Sequence, residues 1–295
     1  MILVTFRSGS ELRLGVKTTQ GIIDVAAASE ALGADSAGLM SIEQVIDGGQ
    51  QAMTALKEFI DRANEAAQAD WILAEDQVSW GPCLSQPGKI ICVGLNYKSH
   101  AEESQMALPT SPILFSKFNN SLAACGDEVP LPSNAVQYDY EAELVAVIGK
   151  QARDVSEADA LDYVFGYCNG NDVSARELQF RSTQWLLGKS LDKFMPIGPY
   201  LVTADEIRDP QNLGIRCKLN GEMRQDSNTQ HMIFSVAYLI SYVSQYMTLE
   251  PGDLISTGTP EGVIFGMKEP VWLKPGDHVV VEIDHLGQLE NSMVA

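Results

Sequence analysis

The sequence predicts an α+β, β-rich fold, and three observations carry that prediction. From residue 89 onward, short strand-like runs (IICVG, ILFSK, ELVAVIGK, VFGYCNG, LGIRCKLNG, DLISTG and HVVVEI) alternate with turns rich in Pro and Gly. Few helical stretches intervene, so this is not the strand–helix alternation of a parallel βαβ array. Residues 1–26 have a different texture: ILVTF, a Ser-Gly-Ser turn, LRLGVK and GIIDV form the pattern of a small antiparallel meander. The chain therefore divides into a smaller N-terminal α+β domain over residues 1–80 and a larger unit over residues 85–295.

The elements follow in order. Ile42, Val45, Ile46, Met53, Leu56, Phe59 and Ile60 recur at helical spacing within residues 42–68. Gly48-Gly49 interrupts them and predicts two helices rather than one. Residues 69–88, with Asp70, Asp76, Gly81, Pro82 and Pro87, form a connector. In the larger unit, Ser156 followed by Glu157 and Asp159 can cap a helix running to Tyr163. A second helix spans Phe234–Met247, with Ser235 as its cap, and stops at Glu250-Pro251-Gly252-Asp253.

Composition narrows the function. The chain has 295 residues, 45% apolar and 20% charged, enough to bury a sizeable core. Its formal charge of −19 repels phosphate backbones and anionic lipid, which argues against nucleic-acid and membrane partners. No apolar run approaches the roughly 18 residues that cross a bilayer, and the N-terminus lacks the pattern of a secretion signal. The five cysteines, none in a C-x-x-C pair, read as reduced core thiols. Together these features predict a cytoplasmic protein.

Some of the acids are placed for chemistry. In YDYEAELVAVIGK, Glu141 and Glu143 stand two apart at the start of a strand, and so share one face. Carboxylates so placed beside a buried run repel each other and lose hydration. Either the face is solvated, or a hard divalent cation compensates, Mg2+ or Mn2+ with Ca2+ as a further option. Asp172, in the polar elbow of GYCNGNDVSARELQ, is a turn residue or cap if alone; with the glutamates it makes three carboxylates, a suitable number for an ion with open positions. Lys189, in WLLGKSLDKF, is either a surface lysine or a cation that stabilises a developing enolate. Arg176 has the same two readings. KIICVGLNYKSHAEE, residues 89–103, ends an apolar strand on Asn96, Tyr97, His100, Glu102 and Glu103, more chemistry than folding needs.

The order GLNYKSHAEE, DYEAELVAVIGK, GYCNGNDVSARELQ, GKSLDKFMPIGP, KLNGEMRQ, ISTGTPEGV resembles the fumarylacetoacetate hydrolase family across roughly residues 85–295. The resemblance implies a catalytic domain of mixed β-sheets rolled around the active site, preceded by a smaller variable domain, and a homodimer. It implies Mg2+ or Mn2+ held by Glu141, Glu143 and Asp172. The family's substrate-binding lysine falls on Lys189, its arginine and glutamine on Arg176 and Gln179, and its threonine on Thr259, with Thr257 close by. The family usually has Asp where this chain has Glu177. His100 and Glu103 match a histidine–glutamate dyad that short-chain members carry on a short helix, and i, i+3 spacing puts both on one face. Glutamate would orient the imidazole, histidine would act as general base, and Asn96 would cap the helix. The following segment, ESQMALPTSP, would act as a lid. Phe118, Asn119, Asn120, Arg224 and Gln225 are candidates for contact with the distal part of a substrate.

The resemblance implies a small-molecule 2-oxo acid substrate. The first expectation is a metal-dependent hydrolase that cleaves a C–C bond in a 2,4-diketo acid of acylpyruvate type. The alternative is an oxaloacetate decarboxylase, or a related lyase or isomerase acting on 2-oxo diacids.

Overall fold

The computed structural model describes residues 1–34, 36, 38–66 and 70–295; the last two positions of the helix expected over 42–68 fall outside them. The meander forms as expected: β1 (Ile2–Ser8), β2 (Glu11–Thr18) and β3 (Gly21–Asp24). Helix α1 (Val25–Leu32) follows, unanticipated in the sequence. Asp24 caps it, its carboxylate accepting from the N–H groups of Ala26 and Ala27. The break at Gly48-Gly49 separates α2 (Ile42–Asp47) from α3 (Gly49–Glu65). Its cause is Gly49, at φ 56°, a conformation that a side chain disfavours. β4 (Ile72–Leu73) completes this region.

The larger unit begins with β5 (Ile90–Gly94), α4 (Lys98–Glu103) and β6 (Ile113–Lys117). The short β7 (Leu122–Ala123), β8 (Glu128–Pro130) and β9 (Tyr138–Asp139) lead into β10 (Ala142–Ile148), β11 (Val164–Asn171) and β12 (Ser174–Ala175). Two one-turn helices, α5 (Arg176–Gln179) and α6 (Leu186–Lys189), precede β13 (Met195–Thr203). Then come β14 (Gly214–Leu219), β15 (Glu222–Asn228), α7 (Val236–Tyr246), β16 (Leu254–Ser256), β17 (His278–Ile283) and β18 (Gln288–Val294). Every strand-like run read from the sequence is a strand, and Ser235 caps α7 by accepting from the Tyr238 N–H.

Two strands lack a strand-like sequence signal, and one expected helix falls short. β13 is among the longest strands, yet Pro196, Gly198 and Pro199 read as turn signals; all nine of its residues are buried, and that burial outweighs the local signal. β15 is almost wholly polar and is held by pairing with β14 rather than by an apolar pattern. The helix expected from Ser156 shrinks to a 3-10 turn over Ala160–Tyr163: the Ser156 hydroxyl does accept from the Asp159 N–H, but only Ala160 of the turn is buried, so no apolar face sustains a longer helix.

The strands assemble into one eleven-stranded mixed sheet in the order β4-β3-β2-β1-β13-β11-β10-β16-β5-β6, with β7 added on β13. β1 pairs with β13, Leu3 opposite Leu201, so this sheet runs without a break from the N-terminal strands into the larger unit. A five-stranded sheet, β15-β14-β17-β18-β8, packs across one of its faces. β10 shows the layering. Leu144, Ala146 and Ile148 point into a core shared with Ile215, Val281 and Leu289, while Val145 and Val147 point into one shared with Val45, Leu56 and Ile60. The central strands are thus buried on both faces, which is why they read as continuous apolar runs. All five cysteines are buried and unpaired, in keeping with core thiols. Among the described residues no helix is long and apolar enough to cross a membrane.

Candidate active site

The antiparallel register of β10 and β11 brings the three carboxylates together. Ala142 lies opposite Asn171 and Glu143 opposite Gly170, so Glu141, just before β10, meets Asp172, just after β11. The Asp172 N–H donates to the Glu141 carbonyl at 2.9 Å. One oxygen from each of Glu141, Glu143 and Asp172 lies within 4.8 Å of the others, and all three residues are buried. Of the two readings left open by the sequence, the solvated face is excluded.

Three cationic side chains surround the cluster. Lys189 Nζ donates to Glu141 at 2.6 Å and to Asp172 at 2.8 Å. Lys117 Nζ donates to the other Asp172 oxygen at 2.5 Å and to the Val173 carbonyl at 3.1 Å. Arg176 Nη2 pairs with Glu141 at 2.7 Å. Burial alone would push Glu141 up, but Arg176 and Lys189 hold it below the usual carboxylate range. Burial pushes the Lys117 ammonium down against the pull of Asp172. Lys189, by contrast, is desolvated yet held above its ordinary value by Asp172 and Glu141.

Glu143 differs from the other two acids. It accepts from the Ser256 hydroxyl at 2.5 Å and the Gly258 N–H at 3.0 Å, but pairs with no cationic side chain among the described residues. Burial, then Asp172 and Glu141, lift it well above the usual range. A buried carboxylate without its own counter-charge, in an all-oxygen donor set, fits a hard divalent ion. Lys117 was not anticipated. Its sequence signal is faint: a lysine closing the strand run ILFSK.

His100 and Glu103 lie on α4, and His100 Nδ1 is 3.0 Å from Glu103 Oε1. Glu103 also accepts from the Gly262 N–H at 3.0 Å. Asn96 does not cap α4: the N-cap position is Tyr97, with no side-chain cap. The buried Asn96 amide instead accepts from Phe234 N–H at 2.8 Å and donates to the Thr257 carbonyl at 2.7 Å, tying the entry of α4 to two distant segments. Glu102 is exposed beside Lys98.

His100 lines one cavity with Glu141, Glu143, Arg176, Gln179, Lys189 and Thr259, and Phe115 and Trp185 form part of its wall. Arg176 and Gln179 share a face of α5, with Arg176 Nη1 donating to Gln179 Oε1 at 3.0 Å. Thr259 receives a hydrogen bond from Gln225 at 2.8 Å and borders the cavity, whereas the Thr257 hydroxyl donates to the Leu144 carbonyl at 2.8 Å, away from it. Glu177 accepts from the N–H groups of Val136 and Gln137, a loop-holding role that leaves the cavity untouched. Of the residues expected near a distal substrate group, Phe118 is 56% exposed and lines a separate groove with Asn119, Asn120 bonds Asp192, and Arg224 pairs with Glu222. Gln225 alone reaches the site, through Thr259. From the proposed lid, Ser104 and Met106 border the cavity.

Gly188 keeps α5 and α6 in register: a Cβ there would sit 2.4 Å from the Gln179 backbone nitrogen. Gly188→Ala is expected to cost about 1–3 kcal/mol and to displace Lys189 from Gln179. Urea denaturation and substrate KM check this together.

The chain is similar to several known proteins. Residues 89–294 match the fumarylacetoacetate (FAA) hydrolase C-terminal family. A fumarylacetoacetate hydrolase domain-containing protein 2 homolog from Dictyostelium discoideum is 44% identical over 95% of this chain and 92% of its own length. An oxaloacetate tautomerase of Xenopus laevis, named as mitochondrial, is 41% identical over 100% of this chain and 90% of its own. The solved structure of a fumarylacetoacetate hydrolase from Exiguobacterium antarcticum superposes with a TM-score of 0.82 at 35% identity, covering 100% of this chain and 99% of that one. The cytoplasmic placement expected from the sequence is withdrawn, because the Xenopus relative, matched along the whole chain, carries a mitochondrial name. Buried reduced cysteines do not distinguish the two compartments.

Proposed function

Because this chain belongs to the fumarylacetoacetate hydrolase family, we propose that its cavity enolises a 2-oxo diacid, and that the enzyme is a keto–enol tautomerase of oxaloacetate. One observation carries the choice within the family: the dyad histidine and the Lys189 ammonium line the same cavity, which sets a base and a cation around one space. A hydrolase must place an attacking water beside its substrate, whereas a tautomerase needs only a base and cations near the enolate oxygen. The name of the Xenopus relative supports the same substrate.

Glu141, Glu143 and Asp172 would hold Mg2+ or Mn2+, which when bound supplies Lewis-acid polarisation of a 2-oxo acid's oxygens. Glu103 accepts from His100 Nδ1–H and so leaves Nε2 as the basic nitrogen. Nε2 removes a proton from C3 of the keto acid; the C3–H electron pair forms the C2–C3 double bond, and the 2-oxo oxygen takes the charge. The imidazolium then returns its proton to that oxygen, and the steps reverse for the opposite direction. Lys189 stabilises the charge on oxygen, while Arg176, Gln179 and Thr259 orient the carboxylates. Phe115 and Trp185 exclude bulk water.

C–C hydrolysis of a 2,4-diketo acid is the second reading, favoured by the name of the Exiguobacterium structure and by a dyad equally suited to activating a water. The test is ultraviolet decay of enol-oxaloacetate, run beside pyruvate release from acetylpyruvate and from oxaloacetate, each with Mg2+, Mn2+ or EDTA. Tautomerisation dominant and EDTA-sensitive is the expected result; dominant pyruvate release from acetylpyruvate would replace this reading with the hydrolase. The quaternary state carried over from the family is a homodimer, tested by sedimentation velocity.

A further inference from the structure

Asp139 belongs to none of the roles described so far, yet its burial is complete. A carboxylate with no exposure is costly unless its lone pairs are filled. Here five donors fill them. Oδ1 accepts from the N–H of Tyr140 at 2.9 Å and of Ile264 at 2.8 Å. Oδ2 accepts from Arg176 Nε at 2.9 Å, Arg176 Nη2 at 2.8 Å and the Phe265 N–H at 2.9 Å. Asp139 does not border the cavity.

These bonds join two parts of the site. Asp139 grips one edge of the guanidinium. Nη2 also reaches Glu141 and Nη1 reaches Gln179, so four of the five N–H groups of Arg176 are committed and one Nη1 N–H is left for a substrate. The backbone that Asp139 holds at Ile264 and Phe265 is the end of a strap, residues 259–266. Two residues before Ile264, the Gly262 N–H holds Glu103, and Glu261 bonds Ser99 on α4. Gly266 packs so closely that a Cβ there would lie 2.6 Å from Glu103 Cδ. The Gly262 carbonyl accepts from the Tyr140 hydroxyl at 2.9 Å, and Gln225 holds Thr259 and the Pro260 carbonyl.

We propose that Asp139 is a positioning residue: it sets the Arg176 guanidinium directly and, through the 259–266 strap, the Glu103–His100 dyad, so that the substrate anchor and the base keep one fixed separation. This rests on the function proposed above, and touches neither substrate nor ion. A misplacement of about 1 Å at such a pair is enough to cost on the order of 100-fold in rate.

The test uses the full-length protein carrying Asp139→Asn, Arg176→Gln and both. Asn keeps the size of Asp but cannot accept on both edges. Asp139→Asn is expected to lower kcat/KM for oxaloacetate by about 100-fold and to weaken oxalate binding to the Mg2+-loaded protein by about tenfold. Mn2+ affinity, measured by calorimetry without substrate, is expected to stay within about threefold. In the Arg176→Gln background the same change is expected to weaken oxalate by less than about threefold, because the anchor it sets is gone. Wild-type oxalate affinity in Asp139→Asn, or an equal tenfold loss in both backgrounds, would overturn the proposal; the second outcome means a general structural role.

If Asp139→Asn does not fold, Gly266→Ala tests the strap from its other end, with kcat expected to fall about tenfold and oxalate affinity to hold; an unchanged kcat overturns the proposal. Oxalate binding does not depend on which reaction the enzyme performs. A wild type that fails to tautomerise oxaloacetate, with oxalate binding lost in Asp139→Asn, therefore defeats the proposed function and leaves the positioning role standing.

Discussion

Replacing His100 by alanine is expected to lower kcat for oxaloacetate tautomerisation by about 100- to 10,000-fold, the range that general-base removal produces. The imidazole lines the cavity, and its Nδ1 is fixed by Glu103 at 3.0 Å. It is not among the three residues that would hold an ion, so Mn2+ affinity is expected to stay within about threefold. Enol-oxaloacetate decay and a Mn2+ titration on the same sample separate the two effects. Activity within about threefold of wild type would transfer the proton-moving role to another proton-bearing side chain of the cavity, Lys189 first.

Glu143→Gln is expected to abolish metal-dependent turnover and to weaken Mn2+ binding by at least about 100-fold, since a charged oxygen donor is lost from a set of three. The same change is expected to stabilise the metal-free protein at neutral pH. The folded-state carboxyl of Glu143 titrates well above its ordinary 4.5. Between 4.5 and that raised value the folded protein holds a proton that the unfolded chain has released. This group's contribution is therefore fully present below 4.5 and is lost as pH rises toward the raised value. Metal-free wild type is expected to lose stability across that window, and Glu143→Gln to lack that part of the slope. Denaturant midpoints in EDTA at several pH values measure it; parallel slopes for the two proteins would show that Glu143 is not the strained acid.

Much of the site was legible because its residues are paired locally. Glu141 and Glu143 are two apart beside a strand, and His100 and Glu103 are three apart on a helix, so short-range geometry already implies a shared face. Lys117 and Asp139 were not legible for the opposite reason. Lys117 acquires its role from Asp172, 55 positions away, and Asp139 from Ile264 and Phe265, at 125 and 126. A lysine after ILFS and an aspartate before YEAE carry no periodic signal of such partners. Asn96 shows the same effect in reverse: it has the composition of a helix cap, but Phe234 and Thr257 claim its amide.

What the sequence by itself determined is the β-rich class, seven strands of the larger unit, the split at Gly49 and the acids and dyad of the site, all of which follow from periodicities of a few residues or from an ordered set of short motifs. Tertiary structure decided the rest. It made Pro196, Gly198 and Pro199 part of a buried strand, and joined the first strand to that same strand, so that the N-terminal meander extends the main sheet. It also chose Thr259 over Thr257 and closed the strap over Glu103. The physical reason is common to all of these: each depends on a free energy of burial and hydrogen bonding that exists only once segments a hundred or more residues apart exclude water from between them.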